Sequence, residues 1–340
     1  LMFFSTDGIL GTPISVSSTY IFVFLLFGAF LVKTGVGQYF NDLAVALAGK
    51  LTGGPAKVAI FSSALQGTIS GSSVANVVTS GSYTIPMMKK LGYKKEFAGA
   101  VEAAASTGGQ LMPPIMGAAA FLMVEFIGRG ITYWDIAKAA AIPALLYFTG
   151  IWIMTHFEAK RLGLKGLTEE EMPNRIEVFK KIYLLTPIVL IIVLMVTGTH
   201  VAHAALYGIL ACIVVGFINP DVKLGIKELI EALADGARSA LSVAAATACA
   251  GIIVGVVVKT GLGLSLATSL VKLAGGSILL TLIFVMFASL ILGMGAPTTA
   301  NYVITSTIAA PAIITLLAPG VSQDMLPIVV LLSAHFFVFY

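Results

Sequence analysis

Long apolar runs joined by short polar connections make up most of this chain. A membrane-spanning helix needs roughly 20 mostly apolar residues. Residues 18–36, 133–157, 182–198, 201–218 and 239–258 meet that length, and another run begins at Met325. Two further runs, 58–88 and 278–314, are interrupted at their middle by Gly, Ser and Thr: Gln66-Gly67-Thr68-Ile69-Ser70-Gly71-Ser72-Ser73 in the first, Gly293-Met294-Gly295-Ala296-Pro297-Thr298-Thr299 in the second. At about 1.5 Å per helical residue, each has room for two half-membrane helices meeting at a polar tip, so both predict re-entrant hairpins. Residues 97–127 could cross but hold Ser106-Thr107-Gly108-Gly109 and Pro113-Pro114. Two prolines remove two amide donors and block helix continuation, so this span is expected to break near its middle. Stretches 38–50 and 264–272 have apolar residues at helical spacing and few charges, the pattern of helices lying along a membrane surface. Residues 219–238, with Lys223, Lys227, Glu228, Glu231 and Asp235, predict a separate interfacial or cytoplasmic helix. The expected fold is an all-α polytopic membrane protein.

The pattern occurs twice. Leu31-Val32-Lys33-Thr34-Gly35-Val36-Gly37 returns as Val257-Val258-Lys259-Thr260-Gly261-Leu262-Gly263, an offset of 226 (Lys33 to Lys259). Ala75-Asn76 and Pro86 return as Ala300-Asn301 and Pro311, an offset of 225 (Asn76 to Asn301). Lys89, Lys90, Lys94 and Lys95 follow the first hairpin and place its open end in the cytoplasm by the positive-inside rule. Counting crossings puts 158–181 in the cytoplasm, although five glutamates nearly offset its Lys and Arg, and the second hairpin then enters from the opposite face. Residues 312–327 after it carry no Lys or Arg. The two copies are therefore expected to be inverted repeats: 1–130 and 239–340, joined by connecting helices and a cytoplasmic amphipathic segment over 131–238. Paired polar-interrupted segments in matching halves point to a secondary transporter's binding site.

Hydrophobic residues are 58% of the chain and charged residues 11%, with a mean hydropathy of +1.00. Soluble domains carry roughly a quarter charged residues, so the chain belongs in a bilayer and meets lipid. The net charge of +4 lies in short connections and forms no nucleic-acid stripe. Cys212 and Cys249 sit in apolar runs as small hydrophobes. No signal-peptide pattern stands at the N-terminus. The chain starts without Met and stops inside an apolar run, which reads as a fragment of a longer protein.

In lipid, non-helical backbone survives only against protein or a wet cavity. The tips would place unwound carbonyls and hydroxyls there, hard oxygen ligands suited to Na⁺, with Ser70, Ser73, Asn76, Gly293 and Thr298 as the cation set. Exposed N-termini of the half-helices beyond the tips favour a carboxylate. The candidate sodium and substrate residues are Ser70, Gly71, Ser72, Ser73 and Asn76 on one wall, with Gly293, Gly295, Ala296, Pro297, Thr298, Thr299 and Asn301 on the other. Gly108, Gly109 and Pro113 open the broken span. Glu102 is an ionisable residue that could line the path or accept a proton. Glu125 is expected to face water or a partner. Lys33 and Lys259 are read as snorkelling to the interface, and Ser62, Ser63 and Thr281 as ordinary helix-packing positions. His156, His200 and His203 sit at segment boundaries.

No Gly-x4-Gly-Lys-Ser/Thr loop occurs, so no ATP engine is visible. No metal-spaced His/Cys/carboxylate cluster and no Gly-x-Ser-x-Gly elbow is present. No organic cofactor and no catalytic residue are expected.

These strings carry a resemblance. Gly28-Ala29-Phe30-Leu31 with Lys33-Thr34-Gly35, Ser70-Gly71-Ser72-Ser73-Val74-Ala75-Asn76, Gly109-Gln110-Leu111-Met112-Pro113-Pro114 and Gly293 through Tyr302 resemble the large membrane subunit of tripartite ATP-independent periplasmic (TRAP) transporters, the fused-permease type most of all. The resemblance implies an elevator mechanism, Na⁺ coupling and a small organic acid delivered by a periplasmic substrate-binding protein. It also implies a small four-helix membrane subunit or fused domain, and a bacterial or archaeal inner membrane. Two alternatives stand beside it. One is an anion symporter of another elevator family that works without a binding protein. The other is an intramembrane serine hydrolase using Ser70 or Ser73, which a fluorophosphonate label would reveal.

Overall fold

The computed structural model describes residues 2, 5–222, 224–294, 298–318 and 326–340. Among these the secondary structure is entirely helical. Helix α1 runs Thr12–Lys33 with a π-helical turn at Ser17–Ile21. Then come α2 (Val36–Ala48), α3 (Gly54–Ser70), α4 (Ser73–Leu91), α5 (Lys95–Gly108), α6 (Gly117–Ile127) and α7 (Tyr133–Arg161). They are followed by α8 (Arg175–Lys180), α9 (Thr186–Val196), α10 (Val201–Ile218) and α11 (Ile226–Thr260). The last elements are α12 (Leu262–Leu273), α13 (Ile278–Gly293), α14 (Thr298–Ile308), α15 (Ala310–Leu317) and α16 (Ile328–Phe339). Six helical stretches among the described residues are long and apolar enough to cross a membrane, and the chain is a multi-pass membrane protein.

The breaks fall at the polar interruptions. Helix α3 opens behind Gly53 with Pro55 in its first turn and stops at Gly71. Gly71 takes φ +54, a left-handed conformation that only glycine adopts at no cost. Ser72 then caps α4, its Oγ accepting from the Ala75 amide at 3.3 Å. In the broken span α5 ends at Gly108 and α6 begins at Gly117, with a cis Pro113–Pro114 bond between. The stretches expected along the membrane surface are helices, α2 and α12.

One sequence expectation differs from the structure. Residues 219–238 and 239–258 read from sequence as separate helices; instead a single 35-residue helix, α11, runs Ile226–Thr260. No proline falls in that stretch, Ala, Leu, Glu and Lys favour helix across its first two thirds, and Gly236 is tolerated where it lies against Leu26. Polarity changes along α11 without a backbone signal to stop. The run expected to start from Met325 is seen as α16 from Ile328, and Thr298–Leu317, part of the run read as the second hairpin, has the length and hydropathy of a span.

The chain forms two compact units. One comprises residues 23–117 and 137–238. Its core packs Ala56, Ala59 and Ile60 of α3, Met88 of α4, Ala98, Val101 and Ala105 of α5 and Phe148 of α7. Alanines let helix axes approach closely, as bundles in lipid require. The segment after α7 is stitched to the α2–α3 turn: Leu167 N donates to Gly49 O at 2.8 Å and Gly53 N to Lys165 O at 3.2 Å. Lys50 pairs with Glu169, and Lys90 with Glu171 at 2.6 Å. Two of the five glutamates that blurred the charge signal of this loop, Glu169 and Glu171, are thus ion-pair partners of Lys50 and Lys90. Lys33, read as snorkelling, pairs with Glu231 at 3.1 Å and Asp235 at 3.4 Å.

The other unit comprises residues 1–22, 118–136 and 239–340. Tyr302 is its largest fully buried side chain, stacked on Phe126 at 6.0 Å between centroids and bonded to His335 Nδ1 at 2.7 Å. Lys259, the counterpart of Lys33, also finds an acid, Asp7 at 2.8 Å.

Candidate functional site

The first tip is built against the broken span. A methyl group at Gly67 would lie 2.1 Å from Gly109 Cα, and one at Gly71 would lie 2.4 Å from Gly117 Cα. The backbones touch because neither side carries a Cβ, so the first tip, Gly109 and the start of α6 form one surface. Asn76, one turn into α4, is fully buried. Its Nδ2 donates to Ser63 O at 2.9 Å and would lie 2.7 Å from a methyl on Gly109. Its Oδ1 has no hydrogen-bond partner among the described residues.

The second tip repeats this feature. Gly293 closes α13, and a methyl on it would lie 2.9 Å from Asn301 Nδ2. Asn301 Oδ1 is likewise buried without a partner among the described residues. A buried amide oxygen with nothing donating to it carries a desolvation cost of about 1–3 kcal/mol. A small hard cation would remove that cost. The donor chemistry at both tips, amide oxygens beside glycine backbone, fits sodium.

Other sequence candidates fall in different places. Ser70, Ser72 and Ser73 are half-buried at the first tip. Ser72 spends its Oγ on capping α4, and the Ser70 Oγ lies 3.4 Å from Ser72 N. Thr298 is half-buried and Thr299 buried at the start of α14. Gly295, Ala296 and Pro297 lie outside the described residues. Pro113 is half-buried in the break. Gly108 is aligned differently from Gly109: a methyl there would strike the Tyr147 and Phe148 rings at 2.5 and 2.9 Å, so it seats α5 on α7. Glu125 is exposed on α6.

Two residues read as plain packing positions belong to hydrogen-bond networks. Ser62 Oγ and Gln66 Nε2 both donate to Asn41 Oδ1 on α2, the latter at 3.1 Å, and Thr79 Oγ1 donates to Gln66 Oε1 at 2.6 Å. Ser63 donates to Glu102 at 3.3 Å. Asn41 was not singled out from sequence; a buried Asn on the apolar face of a surface helix was the available signal.

A family model described as tripartite ATP-independent periplasmic transporter, DctM component, matches residues 5–340. The chain belongs to this family. Within it, the chain is similar to the sialic acid TRAP transporter large permease of Vibrio cholerae, 29% identical over 170 residues, which cover 49% of this chain and 39% of that protein. It is 30% identical over 143 residues to the isethionate TRAP transporter permease of Oleidesulfovibrio alaskensis (42% of this chain, 22% of that one). It is 32% identical over 140 residues to the C4-dicarboxylate large permease of Pseudomonas aeruginosa (40% and 31%). The matched stretches thus span well under half the length of these TRAP relatives. The fold is similar to that of the Alcanivorax borkumensis YdaH transporter, with a TM-score of 0.55 at 17% identity, covering 96% of this chain and 84% of that one. These TRAP relatives are permeases, a family of transporters rather than enzymes.

Proposed function

We propose that this chain is the large-subunit portion of a sodium-coupled secondary transporter that takes up a small organic acid. The observation that carries the reading is the matched pair Asn76 and Asn301, each beside a glycine at a helix break and each with a buried Oδ1 lacking a partner among the described residues. Sodium would be held by these oxygens together with tip carbonyls and the hydroxyls of Ser70, Ser73 and Thr298. The ion is cargo, and its gradient supplies the driving force. The N-termini of α4 and α14 would attract the carboxylate of the acid through the helix dipole. Relatives named for sialic acid, isethionate and C4-dicarboxylates support a small organic anion as substrate.

Family membership supports delivery by a periplasmic substrate-binding protein, a partnership with a small four-helix membrane subunit, residence in a bacterial or archaeal inner membrane, and an elevator movement of both tips together against a scaffold. An anion symporter independent of a binding protein predicts uptake by the membrane protein alone.

The test is thermal stability of the purified full-length protein in NaCl against KCl at equal ionic strength. A ligand bound only by the folded state at about 100 times its Kd adds about 2.7 kcal/mol. Sodium-specific stabilisation that disappears in both Asn76→Ala and Asn301→Ala is the expected result. Equal stability of the unaltered protein in the two salts would defeat the sodium assignment.

A further inference from the structure

Glu102 on α5 is completely buried, and the bonds made to its carboxyl come from hydroxyls on three helices. Ser63 of α3 donates to Oε1 at 3.3 Å and Ser106, one turn along α5, to the same oxygen at 3.0 Å. Ser80 and Thr84 of α4 donate to Oε1 and Oε2. A methyl on Gly81 would lie 3.0 Å from Glu102 Cγ, so the surroundings are closely packed and leave no space for a metal ion beside that carbon.

Charged groups on the helices around it are engaged elsewhere or exposed. Lys57 of α3 lies 3.1 Å from His156 Nδ1 and over the Trp152 ring. Lys90 of α4 pairs with Glu171, and Lys95 of α5 with Glu96 at 3.9 Å. Lys89 and Lys94 are exposed, as is Tyr83. Tyr147 of α7 donates to Ala104 O at 3.0 Å. Among the described residues no ion pair reaches Glu102, and a bare buried charge costs several kcal/mol.

The hydroxyl protons can be counted. Ser80 Oγ is placed to donate to Asn76 O at 2.8 Å as well as to Glu102, and Thr84 Oγ1 to Ser80 O at 3.0 Å as well as to Glu102. Each hydroxyl has one proton, so each must choose. With the carboxyl ionised, all four hydroxyls give their protons to it. With the carboxyl protonated, its new O–H donates to Ser80 or Thr84, and that hydroxyl turns to the carbonyl one helical turn back, a bond serine and threonine make readily. Both states are satisfied by rotating C–O bonds, with no heavy atom displaced.

The geometry points to Glu102 as a proton-binding site: a proton from water forms an O–H bond at one carboxyl oxygen and is returned to water on release, with no redox partner. The hydroxyl cage makes the exchange nearly free of reorganisation. Within this unit the protein therefore carries a second monovalent cation site, chemically distinct from the amide oxygens at the tips, and it stands whether or not sodium binds there.

The test is infrared difference spectroscopy of the full-length protein between acidic and alkaline buffer. A carboxylic-acid carbonyl band that titrates in the unaltered protein and is missing in Glu102→Gln is the expected result. Ser106→Ala, which removes a hydroxyl bonded among the described residues to Glu102, should shift that band in frequency without abolishing it, and this arm holds even if the glutamine variant folds poorly. Identical titrating bands in all three proteins, or no titrating band in the unaltered one, would overturn the assignment.

Discussion

In the first copy of the repeated pattern, the surface helix and hairpin are joined by Asn41, Ser62, Gln66 and Thr79. At the matching positions of the second copy, by the offsets of 226 before the tip and 225 after it, stand Ala267, Ala288, Leu292 and Ile304. Glu102 has Pro327 as its counterpart. Ser63, which reaches Glu102, matches Ser289, whose Oγ has no partner among the described residues. What the copies keep is Gly67 with Gly293 and Asn76 with Asn301. The glycine and asparagine can therefore be retained while the four polar links at Asn41, Ser62, Gln66 and Thr79 are replaced by hydrocarbon. That is the behaviour expected if the tips serve a ligand and the links serve only to hold one hairpin. The contrast extends to burial: α3 is wrapped by its neighbours, whereas Leu279, Leu290 and Ile291 of α13 are 69%, 60% and 65% exposed, a surface suited to lipid or to a subunit.

The sharpest way to break this comparison is to fill the two glycines. Gly67→Ala forces a methyl into Gly109 backbone at 2.1 Å, whereas Gly293→Ala meets the end of the Asn301 side chain at 2.9 Å. Gly67→Ala should lower stability by about 3 kcal/mol, the upper end of overpacking costs, and Gly293→Ala by about 1 kcal/mol, as read by thermal unfolding. Equal losses would mean the tips are packed alike. Next in size is Asn41→Ala, which strands the donors of Ser62 and Gln66. A loss of about 2 kcal/mol should come with faster amide hydrogen exchange in α3 and α4 and none in α13 and α14; protection lost in both pairs would show that the latch is not local. Asn76→Ala should cost about 1 kcal/mol more than Asn301→Ala in sodium-free buffer, because only Asn76 is seen bracing the opposite helix, through Ser63 O. The reverse order would move the structural role to the second tip. Smallest is Lys90→Ala. Its partner lies on the loop at 2.6 Å but Lys90 is 77% exposed, and solvent screens such pairs, so the melting temperature should not change measurably at low or high salt.

The positions of the breaks were legible in the chain because Gly, Pro and Ser act on the backbone locally, one residue at a time. The α3–α4 break at Gly71 and the α5–α6 break around Pro113 are of this kind. The continuity of α11 was not legible, since a change from polar to apolar composition marks a change of solvent and not the end of a helix. The network around Asn41 and the cage around Glu102 were missed or only half seen for another reason. Helical spacing says which face a serine occupies, but the partner across the interface comes from a different helix tens of residues away. Ser62 and Ser63 differ from any packing serine only in the groups that lie opposite.

The strap between α7 and α8 has a practical consequence for handling the molecule. Gly163, at φ +66, has open space around it, while Lys165, Leu167, Glu169 and Glu171 a few residues later are tied by backbone bonds and ion pairs to the α2–α3 turn and the end of α4. Cleavage at a protease site inserted after Gly163 would therefore open the covalent chain without releasing the downstream strap. The two pieces would stay docked as a split protein, so each half could be labelled, isotopically or fluorescently, by itself and rejoined.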